Sequence, residues 1–338
     1  MSEAVRAALI GVGGYGSVLL RASRDVEGFD IVRAYYYKPE RLKEVEARLG
    51  LPTTADFDEI LQDRTIDALV IATPNDLHLP QARAGLESGK AVFVDKPITN
   101  RVDEALELIR TERETGGLLM IGHNFRRMPA LRACERAIRD GAIGQVVSVE
   151  GNFSRDGAYE VTTTSWRRAE RCPTGPLIQL GIHLIDVMIH YCGRPLEVAG
   201  FLEKIYEPGL NVDNTAALIR FEDKRLGTIQ SNYLGPFRAQ LTVYGTEGVL
   251  ASDSLSTTLI RKNGKAELLY RSDSSFDAER DHSLREQFHE FAALVRNGGR
   301  PETDSYSALL ALAVVNGVEI SARERRFVSL SELIPETS

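Results

Sequence analysis

The sequence predicts an α/β protein in two parts: a doubly wound parallel sheet, then an α+β domain with a mainly antiparallel open sheet. Three observations predict it. Short β-branched runs alternate with helical stretches up to about residue 122, and a glycine-rich turn links the first run to its helix. From residue 123 strand-like segments follow one another with few helices between them.

In the first part Val5–Ile10 reads as a strand and 17–26 as its helix. Strand 29–36 precedes the charged helix 40–49, and strand 67–72 precedes helix 79–89. Ala91–Val94 leads to Val102–Thr115, and 118–121 is the last strand. Strands separated by helices need right-handed crossovers, hence a parallel sheet. The second part reads as helix 129–140, strand 146–152 and helix 176–191, then strands 197–206, 215–221, 226–233, 239–244 and Ser256–Arg261. Turns such as Glu222-Asp223-Lys224 and Lys262-Asn263-Gly264 imply antiparallel neighbours. Helices 284–296 and 305–323 close the chain, giving domains of 1–122 and 123–338.

Composition narrows the function classes. A chain of 338 residues with 43% hydrophobic and 26% charged residues is globular and long enough for two domains. The formal charge of -7 carries no basic footprint, so nucleic acid is not an expected partner. No apolar run reads as a membrane span of roughly 20 residues, and the chain enters a strand too early for a cleavable leader. Cys134, Cys172 and Cys192 lack metal-ligand spacing and read as reduced thiols of a cytoplasmic protein. No metal is expected.

Gly11-Val12-Gly13-Gly14-Tyr15-Gly16 fits G-x-G-x-x-G between a strand and a helix. The first glycine allows the tight turn, the second admits a pyrophosphate, and the third lets helix and strand pack; the helix N-terminus adds free N–H groups. A dinucleotide, NAD or NADP, is the expected cofactor. The acid that usually holds the ribose 2′-OH is missing from Ala34-Tyr35-Tyr36-Tyr37-Lys38-Pro39. Lys38 can meet a 2′-phosphate there and Tyr37 can lie against the adenine, although a solvated lysine at a strand end is equally common.

Asp95-Lys96-Pro97 follows the fourth strand, at the sheet end where ligands bind in open α/β folds. Lys96 can donate to a substrate hydroxyl and stabilise an alkoxide as hydride leaves its carbon, with Asp95 moderating its charge. The mostly apolar helix 176–191 carries Gln179, His183, Asp186 and His190 spaced four, three and four apart. At 3.6 residues per turn they fall within an arc of roughly 60°. Burying such a stripe is costly unless it is hydrogen-bonded or lines a cavity. His183 suits a general base and acid, Asp186 an orienting or structural partner, and His190 a satisfied core histidine.

In this order the motifs resemble the Gfo/Idh/MocA oxidoreductase family over essentially the whole chain. The matches are the glycine turn, Ile71-Ala72-Thr73-Pro74-Asn75 with His78, Asp95-Lys96-Pro97, Gly181-Ile182-His183-Leu184-Ile185-Asp186, Asn214-Thr215-Ala216 and Tyr244-Gly245-Thr246-Glu247-Gly248. The resemblance implies a Rossmann domain, a second domain whose open sheet often forms homodimers or homotetramers, and a nicotinamide held between the domains near Lys96 with His183 above the substrate. It places Thr73, Pro74, Asn75 and His78 along the cofactor. Asp95 departs conservatively from the usual Glu-Lys-Pro. Gln179 departs more, because many members carry aspartate there, and an amide can orient a hydroxyl but cannot accept a proton.

The expected activity is hydride transfer between NAD(P) and a secondary alcohol of a sugar, cyclitol or sugar nucleotide, with Lys96, His183 and Gln179 as the catalytic set. Asn152, Arg155, Trp166, Arg167 and Tyr233 are the substrate-contact candidates. Two alternatives stand beside it: a non-catalytic dinucleotide or sugar sensor with the same fold, and a dihydrodiol-type dehydrogenase.

Overall fold

The alternating runs of the first part become a parallel sheet. The computed structural model describes residues 4–335. The elements in chain order are β1 (Val5–Ile10), α1 (Gly14–Ser23), β2 (Phe29–Tyr35), α2 (Leu42–Leu49), β3 (Thr53–Thr54), α3 (Phe57–Gln62), β4 (Ala68–Ile71), α4 (His78–Glu87), β5 (Ala91–Val94), α5 (Val102–Thr115) and β6 (Leu119–Ile121). They continue as α6 (Pro129–Arg139), β7 (Val146–Ser154), α7 (Ile182–Cys192), β8 (Pro195–Glu203), β9 (Asn214–Phe221), β10 (Leu226–Asn232), β11 (Arg238–Gly245), β12 (Gly248–Ser252), β13 (Ser256–Arg261), β14 (Ala266–Arg271), α8 (Phe276–Asn297), α9 (Ser305–Glu324) and β15 (Val328–Ser329).

The six-stranded sheet runs β3-β2-β1-β4-β5-β6 with parallel pairings throughout, and its order reverses between β1 and β4. β4 is buried along its whole length, as a strand covered on both faces must be. The nine-stranded sheet runs β14-β13-β12-β11-β7-β10-β9-β8-β15. It is antiparallel except for β7 beside β10, which run parallel. Gly151 and Phe153 of β7 face α7: a Cβ on Gly151 would meet Met188 and Leu184.

The chain divides into two compact units, and the division departs from a single cut after residue 122. The first unit takes Met1–Thr99 and Glu104–His123, and then regains Asp281–Ala308. The reason is aromatic packing. Phe288 of α8 stacks on Phe29 and lies against Phe93, each at 5.2 Å between ring centroids, and Phe291 closes on the same two rings. The second unit holds Asn100–Asp103, Asn124–Arg280 and Leu309–Ser338.

Two further expectations change. Among the described residues α9 is long and apolar enough to cross a membrane by length and composition, contrary to the reading that no run is; 67% of its apolar window is buried inside the protein. The stretch 176–191 is also not one uniform α-helix, because Leu177–Gly181 is a π-helical turn that feeds α7. Gly181 lets this turn press on β10, since a Cβ there would sit 2.7 Å from Ser231 Oγ.

Candidate functional site

In the first unit the glycine turn sits where the strand order reverses. Gly11 has φ +100°, and a Cβ on it would lie 2.7 Å from the Ala72 carbonyl, so the ends of β1 and β4 come together only over glycine. A Cβ on Gly16 would collide with the Gly11 oxygen at 2.0 Å. Gly13 and Gly14 are the opposite case: both are exposed and nothing lies within 4 Å of their ideal Cβ positions. α1 begins at Gly14 with no side-chain cap. Open space before an uncapped helix N-terminus fits a pyrophosphate. Tyr15 is half-buried on the first turn of α1. Arg48 of α2 donates to the Val12 carbonyl at 2.8 Å and so braces the turn from behind.

The loops after β4 and β5 are tied together. His78 is buried, with Nδ1 2.7 Å from the Pro97 carbonyl and Nε2 3.0 Å from the Thr73 carbonyl. Burial lowers its pKa, and the Lys96 charge adds to that against the two carbonyls. A neutral imidazole carries a single N–H, so His78 donates to one of these carbonyls while its ring sits between the two loops. Thr73 Oγ1 donates to Gln81 at 2.6 Å, Pro74 caps a 3-10 turn, and Asn75 is buried within that turn. Lys96 is 8% exposed, and its peptide bond to Pro97 is cis. Burial raises the neighbouring Asp95 carboxyl to about 6, with Lys96 pulling the other way. Tyr37 and Lys38 follow β2, the ammonium 5.4 Å from the tyrosine ring centroid.

In the second unit Gln179, His183 and Asp186 are buried on the π turn and α7. Asp186 accepts two hydrogen bonds from Arg126, at 2.7 and 2.6 Å, and both side chains are buried. Its role as a structural partner thus has a named cause. The His183 imidazole stacks on Phe125 at 4.5 Å and 28°, with Phe153 at 5.8 Å. Phe153 meets Phe237 edge-on, and Phe237 packs on Phe276, so an aromatic wall runs on from the histidine. These contacts fix the plane of the ring.

The other predicted residues scatter. His190 is exposed and faces Glu135 at 3.2 Å, so it is not a core histidine: it sits a full turn beyond Asp186, where α7 reaches solvent. Asn152 lies on the sheet face turned away from α7, because side chains alternate and its neighbours Gly151 and Phe153 take the near face. There it accepts from Ser154 and reaches Gln230. Arg155 is paired with Glu160 at 2.6 Å. Arg167 stacks on Trp166 with its guanidinium carbon 4.7 Å from the ring centroid. Tyr233 is buried on the same side as Ser231, and burial raises its hydroxyl pKa. Sequence reasoning missed Phe125, Arg126 and Arg48. The run Asn124-Phe125-Arg126-Arg127 held one usable signal, since a buried arginine needs an acid and α7 carries a single one.

Residues 5–123 match the profile of an oxidoreductase family with an NAD-binding Rossmann fold, and residues 131–251 match the GFO/IDH/MocA C-terminal domain. The chain belongs to the Gfo/Idh/MocA family. Family membership makes it an NAD(P)-dependent dehydrogenase or reductase. Among curated relatives it is 28% identical to D-apiose dehydrogenase of Paraburkholderia graminis, over 98% of this chain and 91% of that one. It is likewise 28% identical to an NAD-dependent scyllo-inositol 2-dehydrogenase of Bacillus subtilis, over 93% of each. Among solved structures it matches a putative NADPH-dependent oxidoreductase of Desulfitobacterium hafniense with TM-score 0.90 and 28% identity, covering 99% of this chain and 100% of that one. Levoglucosan dehydrogenase shares the fold with TM-score 0.87 at 20% identity, covering 97% of this chain and 100% of that one.

Proposed function

We propose that this Gfo/Idh/MocA enzyme interconverts a secondary alcohol and a ketone on a cyclic sugar or cyclitol. The observation that carries the reading is His183, a buried imidazole on a mostly apolar helix with its plane set by Phe125. The D-apiose and scyllo-inositol dehydrogenases among the relatives support the substrate class. When bound, the nicotinamide accepts or returns the hydride. His183 takes the hydroxyl proton in the oxidation direction and gives it back in the reverse. Lys96 donates to the same oxygen, steadying the negative charge that develops as the C–H bond breaks. Gln179 orients the hydroxyl by hydrogen bonding and moves no proton. Asp95 is the carboxyl that tempers the Lys96 charge.

Turnover is measured by nicotinamide absorbance across a panel of sugars and cyclitols. Lys96→Ala and His183→Ala are each expected to lose about 10²–10⁴ in kcat, while dinucleotide binding by fluorescence stays within a few-fold. Full turnover in either variant rules out the assignment. Two readings keep a specific observation in their favour. The amide at Gln179 suits a non-catalytic sensor, which predicts tight dinucleotide binding and no turnover. The aromatic wall Phe125, Phe153, Phe237 and Phe276 suits a dihydrodiol substrate, which the same panel includes.

The assembly we propose is a homodimer or homotetramer through the face of the nine-stranded sheet opposite α7. Phe201, Leu218, Leu226 and Leu268 stand exposed on that face, aligned by the register of β8, β9, β10 and β14. The cytoplasm suits the three buried free thiols Cys134, Cys172 and Cys192.

A further inference from the structure

The corner after β2 carries side chains that the proposed hydride and proton steps leave unused. β2 runs parallel to β1 with Tyr35 opposite Ile10, so residues 36–38 emerge beside the glycine turn. In this fold that corner meets the adenosine ribose. A carboxylate there takes the 2′-hydroxyl, whereas a basic side chain takes a 2′-phosphate. Ala34-Tyr35-Tyr36-Tyr37-Lys38-Pro39 supplies no carboxylate.

Two cations stand nearby, and they differ. Arg41 lies over Tyr36 and is held by Glu44 through two hydrogen bonds of 2.9 and 2.6 Å, so its charge is already met. Lys38 has no carboxylate within ion-pair distance among the described residues, and only the Tyr37 ring, 5.4 Å from its ammonium, engages it. A cation–π contact leaves the three N–H donors of an ammonium available. Tyr37 itself is 64% exposed, an aromatic face ready to be covered by a base.

We propose that the enzyme selects NADP over NAD, with Lys38 binding the 2′-phosphate and Tyr37 lying against the adenine. The proposal rests on the dinucleotide reading of the glycine turn and adds to it the identity of the phosphate. The D. hafniense relative described as NADPH-dependent points the same way. The nearest acid downstream is Glu40, exposed at the start of the 3-10 turn Pro39–Arg41. Selection of NAD through Glu40 is the competing arrangement.

The test is calorimetric titration of the full-length protein with NADP⁺, NAD⁺, 2′,5′-ADP and 5′-AMP. NADP⁺ and 2′,5′-ADP are expected to bind at least about tenfold tighter than their counterparts lacking the 2′-phosphate, which is about 1.4 kcal/mol. Lys38→Glu is expected to remove that advantage with NAD⁺ binding unchanged or tighter, since a carboxylate there can take the 2′-hydroxyl, and Lys38→Arg to keep it, because either cation meets a phosphate. Raised salt is expected to narrow the preference. Equal binding of NAD⁺ and NADP⁺, or an unchanged ratio in Lys38→Glu, overturns the proposal and leaves the dinucleotide site standing. Tighter NAD⁺ binding that Glu40→Gln weakens overturns it in favour of the acid. Failure of both dinucleotides to bind overturns it together with the reading of the turn.

Discussion

Asp186 is fully buried on α7, and two nitrogens of Arg126 meet its two oxygens. Desolvating both ions consumes most of what their attraction returns, so the pair matters chiefly when one member is lost. Arg126→Ala is expected to lower stability by about 3–5 kcal/mol, read as a shift of the urea midpoint at constant slope. The double change Arg126→Met with Asp186→Leu is expected to recover most of that loss, because no charge is left stranded. A single variant within 1 kcal/mol of the wild type would mean that water reaches the pair. The sequence showed that an acid on an apolar helix needed a partner. It did not show which arginine, because the partner stands 60 residues away and only the fold brings it close. The burial of His183 in the polar stripe was legible for the opposite reason, since its place follows from helical spacing alone.

The glycine turn separates two uses of the same residue. Gly11 is required by its backbone, whereas Gly13 has φ −70° and free space at its Cβ position. Gly13→Ala is therefore expected to leave stability within about 0.5 kcal/mol and to weaken dinucleotide binding by about tenfold or more, because the methyl fills the path of the pyrophosphate. Gly11→Ala is expected to lose both, as the side chain would enter the Ala72 carbonyl. Paired thermal melts and fluorescence titrations separate the outcomes, and undiminished binding by Gly13→Ala would mean that the phosphates pass elsewhere. The strand–helix alternation around this turn was readable because each element buries one face in the period its backbone imposes. The π turn at Leu177–Gly181 was not, because its extra residue answers to the approach of Ser231, a contact outside the helix itself. β12 and β14 escaped for a related reason: they are sheet strands by virtue of their pairing partners, and β14 is largely exposed.

At the scale of the molecule, the proposed assembly rests on the outer face of the nine-stranded sheet, where Phe201 and Leu218 are exposed. Leu218→Glu combined with Phe201→Glu is expected to convert a dimer or tetramer to monomers in light scattering, with the fold intact by circular dichroism. A wild-type monomer, or an oligomer that ignores both charges, would remove that face from consideration. The division of the chain was only partly legible. Rhythm alone places a boundary near residue 122, since parallel alternation stops there. It cannot show that 281–308 goes back, because α8 is amphipathic like many helices and its destination is set by Phe29 and Phe93. That return has a consequence for how the protein is made. As the chain leaves the ribosome, the six strands of the first sheet are complete long before Phe288 and Phe291 exist. Their aromatic patch stays uncovered while β7 to β14, eight of the nine strands of the second sheet, are being translated. The nascent first unit is thus at its most adhesive for most of synthesis, and a segment made late in the chain supplies the cover that both early aromatics await.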